Sequence, residues 1–286
     1  MRHRTRAYGS LPRPVAAIGV LLWLLLLLGA VTSRADAAFE RDVGSAEARA
    51  ACDAGPHSQL IDLLMRPERG SRWCLQATSS ELYGLAELRC AALALSRESP
   101  GACLCAGVSS LGGRLYREMT VEVMGARRWS EDVAVGLHGR ALSLSWEGGA
   151  TEWSGAADCS AAWLVHGRLV IGLSVRNVAH SSILSSPVAS RVSGEAALVL
   201  DGMTVLASLS GEPGFAPSPA IGCELPLASW TRVRAGLRAE PASAAFGLSF
   251  GRGRTKGRTR WPDLGLAWEW HPVLGVSSSL TVTMWM

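Results

Sequence analysis

"LGLAWEWHPVLGVSSSLTVTMWM" occupies Leu264–Met286. Leu264, Leu266, Trp268 and Trp270 fall on one face of an extended chain, with Gly265, Ala267 and Glu269 on the other. After a turn-like His271-Pro-Val-Leu-Gly275, Leu280, Val282 and Met284 alternate with Ser279, Thr281 and Thr283. Strict alternation is the signature of a strand with one apolar and one polar face. Two such strands around a short turn make a hairpin. The second is expected to pair with the first strand of the sheet and so remove both exposed edges. Leu280, Val282 and Met284 then face outward. Trp285 falls on the inward face, an unusual position for an aromatic so close to a strand end.

The same period-two character recurs from residue 71 onward in runs of 8–15 residues separated by Gly, Pro, Ser and charge. Fourteen runs are predicted: 71–79, 86–97, 101–112, 115–127, 132–146, 154–165, 168–178, 191–200, 203–211, 219–227, 231–239, 243–253, 260–270 and 277–286. In one of the clearest, Val233, Ala235, Leu237 and Ala239 alternate with Arg232, Arg234, Gly236 and Arg238. A soluble β-sandwich and a membrane barrel both alternate in this way, and two features separate them. The first is the connections, which are tight at every second position (98–100, 130–131, 166–167, 201–202, 228–230) and longer at several of the others (147–153, 179–190, 212–218, 271–276). Outer-membrane barrels have short periplasmic turns, longer external loops and an even strand number. The second is the tryptophans. Trp129, Trp230 and Trp261 lie by the short turns, and Trp146, Trp153 and Trp270 by the longer loops, as two interfacial girdles would. Only Trp268 and Trp163 fit the mid-strand placement of sandwich core anchors.

Upstream, Arg2, His3, Arg4, Arg6 and Arg13 precede an apolar run from Val15 to Val31, followed by Ser33-Arg-Ala-Asp-Ala37. A basic start, an apolar stretch and small residues describe a secretory signal peptide cleaved between Ala37 and Ala38. A retained anchor is the competing reading, since about 17 apolar residues just reach spanning length. Nothing later is long enough for a spanning helix, although 48% of the residues are hydrophobic. A barrel is then the remaining way for the exported chain to cross a membrane. The expected organisation is a signal at 1–37, a helical plug or periplasmic lead-in at 38–70, and a barrel at 71–286. The fold class is therefore all-β, a transmembrane antiparallel up-and-down barrel of about fourteen strands in the outer membrane of a Gram-negative-type bacterium. The net charge of +4 includes the basic leader and does not point to nucleic acid.

Candidates for chemistry are few. The seven cysteines form no C-x-x-C pair. Cys103 and Cys105 share a strand face, where small apolar packing is the expectation and a metal or redox site the alternative. The basic stretch Gly251–Arg260 lacks Walker A spacing and is expected to be a solvated loop. His57, His138, His166, His180 and His271 complete no hydrolase or metalloprotease motif, so no catalytic residue, metal or cofactor is assigned. His138 and Arg140 share a polar face fit to line a lumen. Arg232, Arg234 and Arg238 point inward if Val233, Ala235 and Leu237 meet lipid, and Glu122, Glu224 and Glu269 face inward with them. Such charges either pair to fill the interior or bind the head group of an amphipathic ligand; Arg232, Arg234, Arg238 and Glu269 are the candidate ligand residues.

Ser80–Arg89 (SELYGLAELR), Gly107–Val123 (GVSSLGGRLYREMTVEV), Ile171–Asn177 (IGLSVRN) and Ala267–Val282 (AWEWHPVLGVSSSLTV) resemble the PorV/PorQ-type outer-membrane proteins, distant relatives of the FadL fatty-acid channels. The likeness covers most of the chain from about residue 71. It implies a roughly fourteen-stranded barrel, and for some members a role in type IX secretion. A chain ending on an aromatic strand also resembles the recognition signal of the barrel-assembly machinery. Two functions follow as expectations. One is a passive channel for hydrophobic or amphipathic small molecules. The other is a docking or structural component of a secretion or envelope-assembly system, and the short loops favour transport or a purely structural envelope role over docking. The expected partners are outer-membrane lipids, the barrel-assembly machinery, and secretion components or a hydrophobic ligand.

Overall fold

A computed structural model of the chain describes Leu60, Leu63, Leu64 and residues 71–200, 202–251 and 262–286. The expected signal and its cleavage site at Ala37 and Ala38, most of the 38–70 segment, Trp261 and the basic stretch 252–260 lie outside the described residues.

Fourteen antiparallel strands close into one barrel. They are β1 (Arg72–Leu82), β2 (Leu85–Ser99), β3 (Ala102–Gly112), β4 (Tyr116–Arg128), β5 (Val133–Trp146), β6 (Glu152–His166), β7 (Leu169–Arg176), β10 (Arg191–Leu200), β11 (Met203–Gly211), β12 (Ser218–Ala228), β13 (Thr231–Arg238), β14 (Ser243–Phe250), β15 (Asp263–His271) and β16 (Gly275–Trp285). Each pairs with its neighbours in chain order. The remaining two strands, β8 (Ser182–Ile183) and β9 (Ser186–Pro187), form a separate hairpin in the β7–β10 connection. The sequence marks 179–190 only as a longer connection, since a ladder two residues deep on each side leaves no run of alternation.

Closure occurs where the sequence predicts it. β16 pairs with β1 from Cys74↔Trp285 through Glu81↔Ser278. The ladder continues in reciprocal bonds between Trp73 and Met286, N to O at 3.0 and 2.9 Å. A lipid-embedded backbone has no water to satisfy its polar groups, so every strand needs two partners.

Alternation sorts the wall into two surfaces. Leu104, Val123, Leu137, Ile221, Leu237, Phe246, Leu280 and Met284 are exposed on the outside. Thr78, Ser80, Glu118, Arg140, Asp158, Ser193, Ser279, Thr281 and Thr283 are buried on the inside. A continuous apolar exterior around a polar interior inverts the soluble arrangement and suits lipid.

The tryptophans follow the rims. Trp73, Trp129 and Trp230 are exposed at the end where Arg72 and Trp285 lie, called here the terminal end; Trp146, Trp153 and Trp270 are exposed at the opposite end, the mouth. Trp163 corrects the mid-strand placement: it faces Val133, the first residue of β5, and so lies near the terminal rim. Trp163 and Trp268 both face outward, Trp268 stacked on Phe246 at 6.3 Å. Neither is a core anchor.

The inward Trp285 has its own partners. Its indole Nε1–H donates to Asp263 Oδ2 at 3.0 Å, and the Arg72 guanidinium lies 3.7 Å over its ring. Arg72 also donates from Nε to Glu98 Oε2 at 2.7 Å. Four strands, β1, β2, β15 and β16, are thus riveted at the terminal end of the seam. At the mouth, Gly112 closes the β3–β4 turn with φ +98; a Cβ there would lie 2.2 Å from the Tyr116 carbonyl oxygen, so only glycine fits.

Removing Leu280–Met286 takes away most of the β1 pairing and the Trp285 rivet. The truncated chain is expected to fail to assemble in the membrane, while Cys105→Ser leaves assembly intact; the heat-dependent shift of the folded barrel in a gel checks both.

Candidate functional site

Barrels of eight strands are filled by wall side chains alone, whereas those of sixteen or more leave a channel. Fourteen strands lie between these limits, so the wall alone does not fill the interior. In this chain the space along β3–β7 is occupied in three layers.

At the terminal end, helical Leu60, Leu63 and Leu64 pack against inward Cys103, Ala126, Ala134, Ala162 and Val170. Their i, i+3, i+4 spacing puts all three on one helix face. The wall opposite includes small side chains, and a Cβ on Gly136 would crowd Ser160 Oγ at 2.7 Å while making only ordinary contact with Leu60 Cδ2 at 3.5 Å. The three described residues of the 38–70 segment thus lie against the inner wall. The same contact places Cys103 in apolar packing, as the sequence reading expects. Among the described residues no cluster of three or more His, Cys, Asp or Glu is placed to hold a metal.

The middle layer is charged. His138 and Asp158 are cross-strand partners on β5 and β6, and Arg140 follows two residues along the same inner face. His138 Nδ1 lies 3.0 Å from Asp158 Oδ2, and its Nε2 lies 3.2 Å from Glu122 Oε2 on β4. Arg140 Nη2 donates to Asp158 Oδ1 at 2.7 Å, and the Asn177 backbone N–H donates to the same oxygen at 2.7 Å. Asp158 is 4% exposed, so its charge is balanced by these partners and not by solvent. The sequence singles out Glu122, His138 and Arg140 for the lumen but not Asp158 or Asn177. One available signal is that Asp158 is the charge in the middle of the inner face of β6, flanked by Ser154, Ala156, Ser160 and Ala162, with Glu152 only at the strand's start.

The third layer lies at the mouth. The strap between β7 and β10, residues 177–190, dips into the barrel. It buries Ile183 and Val188 against inward Leu142, Leu144 and Ala156. Along β5 the inner face therefore runs from Ala134 at the plug, through His138 and Arg140, to Leu142 and Leu144 under the strap.

On the opposite wall, all four candidate ligand residues face inward. Arg234 is the cross-strand partner of Glu224, which accepts from Arg234 Nε at 2.8 Å; Arg234 Nη1 also donates to Ser249 Oγ at 3.1 Å. Arg232 Nη1 lies 3.6 Å from Glu224 Oε1 and is half exposed. Arg238 and Glu269 have no ion pair among the described residues. The structure thus brings Arg232 and Arg234 together on one carboxylate. Arg238 stands apart near the mouth, and Glu269 on β15 faces Ala245 and Ser277. The neighbouring inner positions Gly222, Gly236, Ala245, Gly247, Gly265 and Ala267 are small.

Glu224→Ala strips a buried arginine of its carboxylate, a change that costs about 3–5 kcal/mol. It is expected to lower the thermal midpoint of the folded barrel clearly. Arg238→Ala, with no ion pair to lose, is expected to move it by less than about 0.5 kcal/mol. Gel shift against temperature measures both.

Solved structures share this architecture. The barrel aligns with the CymD monoaromatic hydrocarbon channel at TM-score 0.60 and 10% identity, over 87% of this chain and 98% of that one. It aligns with the Pseudomonas putida toluene transporter TodX at 0.56 and 9% identity, and with the Ralstonia pickettii toluene transporter TbuX at 0.54 and 10%, each over 87% and 98% of the two chains. No family model and no curated protein matches the sequence. At such identities the comparisons establish the fold: a fourteen-stranded barrel like those of outer-membrane channels.

Proposed function

We propose that the chain is an outer-membrane channel for small hydrophobic or amphipathic molecules, passive and non-catalytic. The observation that carries this reading is the way the interior is filled. Two short segments occupy the lumen on one side, Leu60, Leu63 and Leu64 against β3–β7 and the strap at 177–190 against β5 and β6. A structural pillar of this width needs no removable filling. A conduit needs a filling that can move without breaking any strand pairing. Likeness of fold to channels described for toluene and monoaromatic hydrocarbons supports the same reading and points to substrates of that size and polarity.

Within the lumen, Arg232, Arg238 and Glu269 are the groups available to meet a polar head on a passing amphipath, because Arg234 is committed to Glu224 and Ser249. The apolar exterior takes outer-membrane lipid, and the exported barrel depends on the assembly machinery of that membrane. The finer kinship, to PorV/PorQ-type proteins, rests on the four segments quoted above. It implies a surface docking role, in which loss of the protein would release or strand exported cargo.

The test deletes residues 38–69, with the leader retained, and measures uptake of a hydrophobic dye by cells whose outer membrane carries the variant. Uptake is expected to rise several-fold over the intact protein. Unchanged uptake with a correctly assembled barrel contradicts the channel.

A further inference from the structure

Asn177 begins the mouth strap and is fully buried. Every polar group of its side chain and backbone holds something. Its N–H donates to Asp158 Oδ1 at 2.7 Å. Its Nδ2 donates to the Val188 carbonyl at 2.7 Å, and its Oδ1 accepts from the Ser181 backbone N–H at 3.0 Å and hydroxyl at 2.7 Å. Its carbonyl accepts from the Ser190 hydroxyl at 3.3 Å. One residue therefore clasps both ends of the fourteen-residue segment. It is itself seated on the carboxylate that His138 and Arg140 share in the lumen.

The clasped segment is strained. Of the five non-glycine residues with positive φ among the described residues, four are in it: Asn177 (+50), His180 (+49), Leu184 (+53) and Ser185 (+64). Leu184 and Ser185 form the two-residue tip between β8 and β9, where both positions demand the left-handed region and glycine or asparagine is the usual choice. A left-handed leucine is disfavoured by its Cβ and persists only where surrounding contacts hold it. Here those contacts are Ile183 and Val188 on the inner wall, the Ser154 hydroxyl donating to the Ser182 carbonyl at 2.6 Å, and the Asn177 clasp.

We propose that residues 177–190 are a spring-loaded gate over the mouth, latched through Asn177 onto Asp158, so that the charged layer of the lumen sets whether the mouth is shut. The latch deepens the channel reading and rests on it. Shut, the strap plugs the inner wall above Arg140. Released from Asp158, it relieves its left-handed tip and uncovers Leu142, Leu144 and Ala156 as an apolar entrance. No pairing between barrel strands has to break, because the β8–β9 hairpin pairs only with itself; the bonds that open are those of the strap to β6, from Val178 N–H to the Ala157 carbonyl at 2.8 Å and from the Ser154 hydroxyl to the Ser182 carbonyl.

The test is amide hydrogen exchange on the full-length protein refolded in detergent micelles. Asn177→Gly tolerates the positive φ and keeps the N–H to Asp158, but loses the bonds to Val188 and Ser181; the charged layer is untouched. Arg140→Leu with Asp158→Leu removes the latch carboxylate together with its buried arginine, so neither charge is left alone. In both variants exchange across 178–190 is expected to quicken roughly tenfold or more, the effect of losing a charge-assisted or doubly made hydrogen bond, with β4–β6 still protected. If the double variant does not show the folded gel shift, Asn177→Gly decides. Wild-type exchange across the strap in either folded variant overturns the latch. Dye uptake measured on the same variants separates the two readings: faster strap exchange with unchanged uptake leaves the latch standing and contradicts the channel.

Discussion

The pairing of β1 with β16 is the contact on which everything else depends. In hydrocarbon, an unpaired strand edge carries a row of desolvated N–H and C=O groups, each worth several kcal/mol. An open fourteen-stranded sheet with this apolar exterior has no stable setting in a membrane. Closure removes both edges at once. It also turns the alternation of every strand into a statement about inside and outside, which is why the outward leucines and the inward serines and threonines follow one rule around the whole wall. The Arg72–Glu98–Trp285–Asp263 rivet shows how the seam is held at its terminal end. A cation over an indole, with a carboxylate on either side, joins four strands where the ladder ends.

Closure at this strand number creates the second constraint, an interior that wall side chains do not fill. The chain answers with contrasted layers. Leu60, Leu63 and Leu64 pack against β3–β7 at the terminal end and the strap packs against β5 and β6 at the mouth, with a compensated charge cluster between them. An isolated carboxylate such as Asp158 would be costly in that position. With His138, Arg140 and the Asn177 N–H around it, the same group becomes an anchor. The opposite wall, with small residues and the arginines of β13, is built differently, and a head-group contact is proposed there.

Much of this was legible in the sequence, for a local reason. Side-chain period two is a property of each strand by itself, so all fourteen barrel strands, the tight and long connections and the facing of Leu280, Val282, Met284 and Trp285 follow without knowledge of the neighbours. The inward placement of Arg232, Arg234, Arg238 and Glu269 follows from the same parity. Whether those four bind anything does not, since that depends on what crosses the lumen. Partners were less legible than facing. The inward tryptophan looked misplaced because Arg72 and Asp263 are far away in sequence. Asp158 and Asn177 carried no motif, and their roles arise from a cross-strand register and a loop that returns to the wall. The β8–β9 hairpin leaves no signal within the longer 179–190 connection because its tip is Leu184-Ser185, where turn chemistry favours Asn-Gly. The contacts of the strap override that local preference.

The most direct measurement of the central claim is a spin-label accessibility scan along β16, one residue at a time from Val276 to Met284, with the protein in lipid bilayers. A closed membrane barrel predicts a period of two. Oxygen, which concentrates in lipid, should reach labels at Val276, Ser278, Leu280, Val282 and Met284, and should reach those at Ser277, Ser279, Thr281 and Thr283 far less. A strand reached by oxygen equally at all positions, or by a water-soluble relaxant on its apolar face, would contradict the account.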